Sequence, residues 1–254
     1  MISWQPPSPR PLLGPDEVHV WRVSLARPPF PLDLLWRQLN SSETERAQRY
    51  RFERDRRRFI VARGMLRVIL ARYAGIPPAA IEFAYSDHGK PGLPARPELS
   101  FNASDSGEWM ALGVMLNRLI GVDIEQIRAD VATDSIAERF FSPHEAAALR
   151  ALPDDEQVVA FFRCWTRKEA FIKAIGEGLS YPLHRFHVTL GPGEPARLLY
   201  VEGEPDATER WWMKDFPVAA GYAGAIIAET PVEKVTYWAW QSEEAALPLE
   251  GERG

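Results

Sequence analysis

The sequence contains few of the residues on which several classes of protein depend. Its 254 residues include one cysteine, Cys164, which excludes an internal disulfide and makes a cysteine-based zinc site implausible. Basic charge is not in excess, since the formal net charge is −5, which argues against a nucleic-acid partner. No apolar run approaches membrane-spanning length, and the first residues lack a signal-peptide pattern. We therefore expect a cytoplasmic protein, monomeric and without a membrane partner.

The charge that is present is distributed unevenly. The segment from Arg46 to Arg72 contains ten arginines and only two acidic residues, Glu53 and Asp55. An acidic protein with one strongly basic segment often binds an anion there. A solvated helix face explains the same arginines equally well, so this segment alone does not define a site.

The spacing of apolar residues predicts two long helices, each ended by a glycine. The first runs through RDRRRFIVARGMLRVILARYAG and the second through DDEQVVAFFRCWTRKEAFIKAIGEG. A shorter helix precedes each one, capped by Ser41 or Ser42 in the first case and by Ser142 in the second. The repeated order predicts an α+β fold of two similar lobes related by a pseudo-twofold axis, each a small antiparallel sheet packed on a long helix.

The same patterns place the boundaries of the lobes. We expect an N-terminal lobe at 16–120, a C-terminal lobe at 121–241, and extended or loosely ordered ends at 1–15 and 242–254. At the junction we expect a hairpin with strands at 109–115 and 119–127 and a turn at Asn117-Arg118. The cleft between the lobes is then the expected position of a functional site.

Acidic residues occupy the second strand of this expected hairpin, LIGVDIEQI. In a strand, Asp123 and Glu125 point to the same face, where their like charges repel and lose hydration. The alternative is that this face is simply exposed to solvent. The second long helix adds Glu169, four residues before Lys173, although such pairs are common on helix surfaces. Three carboxylates without His or Cys suit a hard cation such as Mg²⁺ or Mn²⁺.

Four segments, in order, carry a resemblance to a known family. They are HGKP at 88–91, FNASDSGEW at 101–109, IGVDIE at 120–125 and WTRKEAFIKA at 165–174. Together they resemble the 4′-phosphopantetheinyl transferases, and specifically the larger two-lobed type that activates peptide and polyketide synthetases. The resemblance extends over roughly residues 40 to 190.

The resemblance implies a reaction and a role for each matching residue. The enzyme would transfer 4′-phosphopantetheine from coenzyme A to a serine of an acyl or peptidyl carrier protein, with Mg²⁺, and release adenosine 3′,5′-bisphosphate. The implied metal ligands are Asp123, Glu125 and Glu169, and the implied catalytic residues are Glu169, as acceptor of the serine proton, and Lys173. For coenzyme A it implies Arg46 and Arg58 at the 3′-phosphate, Lys90 and Pro91 at the adenine, and Ser104, Asp105 and Lys173 at the phosphates.

One position departs from the family pattern. Asp105 stands where the family usually has a histidine that contacts phosphate. The alternative function is therefore a catalytically weakened or silent protein that binds coenzyme A or a carrier. A nuclease built on the same acids is disfavoured by the acidic composition. For the carrier, we expect apolar contact through Ile136, Phe140 and Phe141, with core packing of the two phenylalanines as the alternative.

Overall fold

The computed structural model of the protein describes residues 2–131 and 133–240. The helices are α1 Leu32–Trp36, α2 Ser41–Gln48, α3 Glu53–Ala74, α4 Thr133–Phe140, α5 Pro143–Arg150, α6 Asp154–Ile175 and α7 Ala207–Arg210. The strands are β1 Glu17–Ser24, β2 Ala84–Tyr85, β3 Pro91–Gly92, β4 Leu99–Ser106, β5 Trp109–Leu116, β6 Ile120–Gln126, β7 Phe186–Val188, β8 Leu198–Val201, β9 Trp211–Asp215, β10 Tyr222–Glu229 and β11 Lys234–Ala239. Short 3₁₀ turns lie at Pro78–Ala80, Gly178–Ser180 and Leu183–Arg185. None of the helices in this described part has the length and hydropathy needed to cross a bilayer.

The helices follow the local sequence signals closely. Both long helices, α3 and α6, have 22 residues and end at the predicted glycines. The cap of α5 is Ser142, whose side chain and that of Glu145 bond reciprocally to each other's backbone N–H, as predicted. The cap of α2 is Asn40 rather than Ser41 or Ser42, because the Asn40 side chain reaches the backbone N–H of Glu43.

The strands form two main sheets, in the orders β11-β1-β5-β4 and β6-β10-β9, and two small pairs, β2-β3 and β7-β8. The predicted mixture of helices with small sheets is confirmed, but the C-terminal boundary is not. Strand β11 runs parallel to β1, so residues 234–239 belong to the first sheet and not to the lobe expected at 121–241. Gln5, in the expected extended lead-in, bonds to this strand through Tyr237 and Ala239. Residues 241–254, including the expected loose end, lie outside the described residues.

The expected hairpin of 109–115 with 119–127 is wrong. Strand β5 pairs with β1 and β4, whereas β6 pairs with β10 in the other sheet. The chain leaves the first sheet at Asn117, a non-glycine residue with φ of 57°, and enters the second at Ile120. The reason lies in packing, since Ile120, Val122 and Ile124 are buried in an apolar cluster between the two sheets. A hairpin does form, between β4 and β5, around Gly107.

Three apolar clusters hold these layers together. One packs α3 on the inner face of β1, β4 and β5, and a second packs α6 against β7 to β10. The third joins the sheets and includes Val18 and Val20 of β1 together with Val122 and Ile226 of the second sheet. This arrangement brings β4 beside β6, and the polar residues of both strands meet at that seam.

Candidate active site

Close packing of β6 on α6 places the first acidic residue. A Cβ atom on Gly121 would overlap the carbonyl oxygen of Ala170 and lie 2.6 Å from the backbone nitrogen of Ala174. Only glycine therefore allows the strand to approach the helix backbone this closely. Two residues along β6, Asp123 points in the same direction and meets the side chain of Lys173, which projects from the last turn of α6.

Asp123 is the centre of a buried network that joins three elements. The residue is 2% exposed, and its carboxylate accepts hydrogen bonds from Lys173 Nζ at 2.6 Å and from Ser104 Oγ of β4 at 2.8 Å. Lys173 Nζ also donates to Ser104 Oγ at 2.9 Å. Burial raises the pKa of Asp123, and Lys173 opposes this shift only in part. Burial lowers the pKa of Lys173, but the neighbouring carboxylates outweigh it, so its pKa is raised and the ammonium stays charged.

Glu169 and Glu125 complete the acidic cluster. Burial raises the pKa of Glu169 to about 7, and repulsion by Asp123 and Glu125 acts in the same direction. Burial also raises the pKa of Glu125, although Ser106 Oγ donates a hydrogen bond to its Oε2 at 2.7 Å. The three carboxylates predicted from the sequence thus act on one another's protonation, and together they favour a positive charge between them.

The cluster fits a hard cation in its donor chemistry. Asp123 Oδ2 and Glu169 Oε1 are buried oxygens without a hydrogen-bond partner within the protein. Unpaired buried carboxylate oxygens are costly, and a divalent cation would satisfy both. In the described residues, no three His, Cys, Asp or Glu side chains already stand in a metal-binding arrangement. At present Lys173 supplies the positive charge beside Asp123.

Two residues assigned to coenzyme A are engaged within the protein. Ser104 has one hydroxyl hydrogen, which it donates to Asp123, so it must release that bond before it can donate to a phosphate. Lys90 Nζ donates to the carbonyl oxygens of Ala174 at 2.7 Å and Ile120 at 3.2 Å. Lys90 therefore links the β2–β3 turn to the end of α6. Burial lowers the pKa of Lys90 to about 8. Pro91 lies beside it in β3, half-buried.

The departure from the family pattern, Asp105, lies beside an arginine of α3. Asp105 Oδ2 lies 3.7 Å from Arg58 Nη2, and the Asp105 side chain is 53% exposed. Its charge is thus partly offset by an arginine that the resemblance assigns to the 3′-phosphate. The Arg46 guanidinium lies over the ring of Phe59, 5.0 Å from its centroid. The structure therefore brings Arg58 next to β4 but does not join Arg46 to the acidic network.

Several residues near the site had no role in the sequence interpretation. Asn102 and Ser106, with Ser104 between them, contact β6, and the polar alternation N-x-S-x-S is the signal from which a shared face could have been predicted. Lys168, a residue of the family motif, is fully buried and donates to both carboxylate oxygens of Glu145. Its position in the motif therefore reflects a structural bond between α5 and α6.

The residues expected to dock a carrier protein are buried to different degrees. Phe141 is 3% exposed and stacks on Phe161, so the core alternative applies to it. Phe140 packs edge-on against Trp165, with ring centroids 5.9 Å apart. Ile136 is partly buried against the same cluster.

Comparison with known proteins identifies the family. Residues 119–227 match the model of the 4′-phosphopantetheinyl transferase superfamily, and residues 29–116 match a model described as 4′-phosphopantetheinyl transferase, N-terminal. The chain is 42% identical over 199 residues to 4′-phosphopantetheinyl transferase HetI of Nostoc sp., covering 77% of this chain and 84% of that protein. It is 32% identical over 193 residues to 4′-phosphopantetheinyl transferase Sfp of Bacillus subtilis, covering 76% and 83%.

A solved holo-(acyl-carrier-protein) synthase of Bacillus anthracis, in complex with CoA (3′,5′-ADP), superposes with a TM-score of 0.37 at 19% identity, covering 44% of this chain and 94% of that one. The sequence matches establish that the chain belongs to the 4′-phosphopantetheinyl transferases. Within that family it is of the Sfp type, as its four ordered motifs predicted.

Proposed function

We propose that this enzyme transfers 4′-phosphopantetheine from coenzyme A to a serine of an acyl or peptidyl carrier protein, in the presence of Mg²⁺. The observation that carries the proposal is the buried Asp123–Lys173 pair at the seam between the sheets, together with the nearby carboxylate of Glu169, whose protonation responds to both. This site combines unpaired carboxylate oxygens with a fixed ammonium group, which suits a polyphosphate substrate bound together with a cation.

The acidic residues and the lysine at this site have different roles. Asp123, Glu125 and Glu169 would hold Mg²⁺, which when bound supplies positive charge to the pyrophosphate. In the transfer, the serine oxygen forms a bond to the β-phosphorus and the bond from that phosphorus to the bridging oxygen breaks. Adenosine 3′,5′-bisphosphate leaves with the electron pair of the broken bond. The ammonium of Lys173 is placed to offset charge on the phosphate oxygens.

Glu169 is the candidate acceptor of the serine proton. Without a bound cation, burial raises the pKa of Glu169 to about 7, which is near the working pH at which a general base is most effective. Its buried Oε1, which has no hydrogen-bond partner within the protein, is the oxygen that would face the cation, so the serine proton is assigned to Oε2 of the same carboxylate. We therefore assign proton acceptance to Glu169 and charge compensation to Lys173.

A silent binding protein is the second candidate, and Asp105 is the observation behind it. Asp105 lies beside Arg58 and competes with the 3′-phosphate for that guanidinium. The pair is partly exposed and its charged atoms are 3.7 Å apart, however, and solvent-accessible ion pairs contribute only about 0–1 kcal/mol. A penalty of that size weakens coenzyme A binding several-fold without abolishing it, which favours an active enzyme.

Intact-mass measurement of an apo carrier protein, incubated with coenzyme A and the enzyme under single-turnover conditions, tests the proposal. We expect transfer with Mg²⁺, none after chelation, and recovery on adding Mg²⁺ back. Asp123→Asn and Glu169→Gln should each abolish transfer, whereas Glu156→Gln, an exposed position in the first turn of α6, should not. Undiminished transfer by Glu169→Gln would contradict the assignment, and coenzyme A binding without transfer by the wild type would support the silent protein.

A further inference from the structure

The seam between β4 and β6 is built from side chains instead of backbone hydrogen bonds. In the described residues β4 pairs only with β5, and β6 pairs only with β10. Across the seam, Asn102 Oδ1 accepts from the backbone N–H of Val122 at 2.8 Å. Ser104 Oγ and Ser106 Oγ then donate to Asp123 and Glu125 at 2.8 and 2.7 Å. Polar residues at every second position of β4 therefore face β6, and the two serines meet its two successive acids.

Ser106 is held in one orientation by a second bond. Its Oγ accepts the backbone N–H of Gln126 at 3.1 Å while it donates to Glu125 Oε2. A hydroxyl has one hydrogen, and with an acceptor position occupied by the backbone that hydrogen is directed at the carboxylate. Glu125 has three rotatable side-chain bonds, so a fixed donor restricts it to a small set of rotamers. The other oxygen, Oε1, is left for a cation.

The turn after Ser106 is fastened to the opposite sheet. Gly107 has φ of 55°, and a Cβ at this position would overlap Tyr222 Oη and lie 2.7 Å from Gln126 Oε1. Tyr222 Oη also accepts the backbone N–H of Glu108 at 2.9 Å. The backbone that carries Ser106 is therefore held against β6 and β10 before any ligand arrives, which is what a preorganised site requires.

We infer that Ser106 is a positioning residue for Glu125 and sets its orientation as a ligand of the cation. The inference rests on the proposed function, because it takes Glu125 to be a metal ligand. Groups that hydrogen-bond to metal ligands fix their orientation, and their removal typically lowers metal affinity by about 10- to 100-fold. We expect loss of the Ser106 hydroxyl to lower metal affinity by an amount near the lower end of that range, because Glu125 is only one of three carboxylates.

Binding of Mn²⁺, used as the paramagnetic probe, tests the inference without turnover. Each variant is titrated with Mn²⁺ at constant, saturating coenzyme A and without carrier protein, and free Mn²⁺ is measured by electron paramagnetic resonance. We expect Ser106→Ala to raise the Mn²⁺ dissociation constant about tenfold and Ser106→Thr, which keeps the hydroxyl, to restore it. Ser100→Ala is the matched control: Ser100 shares the face of β4, yet no bond to β6 is described for it.

A second readout separates positioning from general stability. In steady-state transfer, Ser106→Ala should raise the apparent KM for Mg²⁺ about tenfold, while kcat at saturating Mg²⁺ and the melting temperature without metal stay close to wild type. If Ser106→Ala binds Mn²⁺ like wild type while Glu125→Gln binds it weakly, the inference is wrong and the proposed function stands. If Glu125→Gln also binds like wild type, or wild type binds no Mn²⁺ beyond that held by coenzyme A, the proposed metal set fails and the inference with it.

Discussion

Replacing Gly121 with alanine tests how the site is assembled. The added methyl group would overlap Ala170 O and lie 2.6 Å from Ala174 N, whereas ordinary contacts begin at 3.4 Å. Both partners are backbone atoms of α6, so no side chain can rotate away. The helix and strand must separate by at least about 0.8 Å at Ala174, and by more at Ala170. Glu169 and Lys173 move with that helix, away from Asp123.

Two measurements follow from this displacement. Overpacking of a tight interface costs about 1–3 kcal/mol, which for a chain of this size lowers the melting temperature by roughly 3–10 °C. A misplacement near 1 Å of catalytic groups lowers kcat by about 100-fold. The control is Gly14→Ala, where the nearest atom to an added Cβ lies at 3.5 Å. If Gly121→Ala melts lower but keeps wild-type kcat, close packing is not what positions Glu169 and Lys173.

Three further predictions follow from named contacts. Lys90→Met removes the donor to two backbone carbonyl groups, so the free energy of unfolding measured by chemical denaturation should fall by about 1–3 kcal/mol. An unchanged value would show that these hydrogen bonds do not stabilise the fold. Burial raises the pKa of Glu17, but hydrogen bonds from Thr236 and Lys234 outweigh it and hold the pKa at about 2. Because this lies below the ordinary 4.5, Glu17 stabilises the fold above about pH 4.5 and loses that contribution, on the order of 3 kcal/mol, as the pH falls towards 2. Glu17→Gln should therefore flatten the acid limb of stability against pH. Asp105→Asn removes the charge that pairs with Arg58, so coenzyme A binding measured by calorimetry should become two- to fivefold tighter (roughly 0–1 kcal/mol). Weaker binding would show that Asp105 itself contributes to coenzyme A binding.

The elements that the sequence predicted well are those with local signals. The 3.6-residue spacing of apolar side chains and the glycines at the ends defined α3 and α6, and the S-P-x-E pattern at Ser142 defined the start of α5. The cap of α2 was misplaced by one or two residues, because asparagine and serine can both cap a helix. The family followed from four short motifs whose residue types and order are properties of the chain alone.

Strand pairing was decided by tertiary structure. Periodicity shows which residues of a strand share a face, but it does not show which strand lies alongside. Val18 and Ile120 belong to different sheets and yet pack in one cluster, so β5 and β6 separate where a short turn favoured a hairpin. Residues 234–239 carry large apolar side chains on both faces, with Tyr237 in the cluster between the sheets and Trp238 packed against the first core, so their pattern suits either sheet.

The sequence by itself determined the family and indicated which residues are candidates for the chemistry, and the tertiary structure decided what each of them touches. Asp123, Glu125 and Glu169 were identifiable because carboxylates are unusual in apolar segments. That Lys173 pairs with Asp123, that Ser106 holds Glu125, and that Lys90 is engaged by carbonyl groups all depend on contacts between residues far apart in the chain. Such contacts follow from how helices and sheets pack in three dimensions, which no local pattern of residues records.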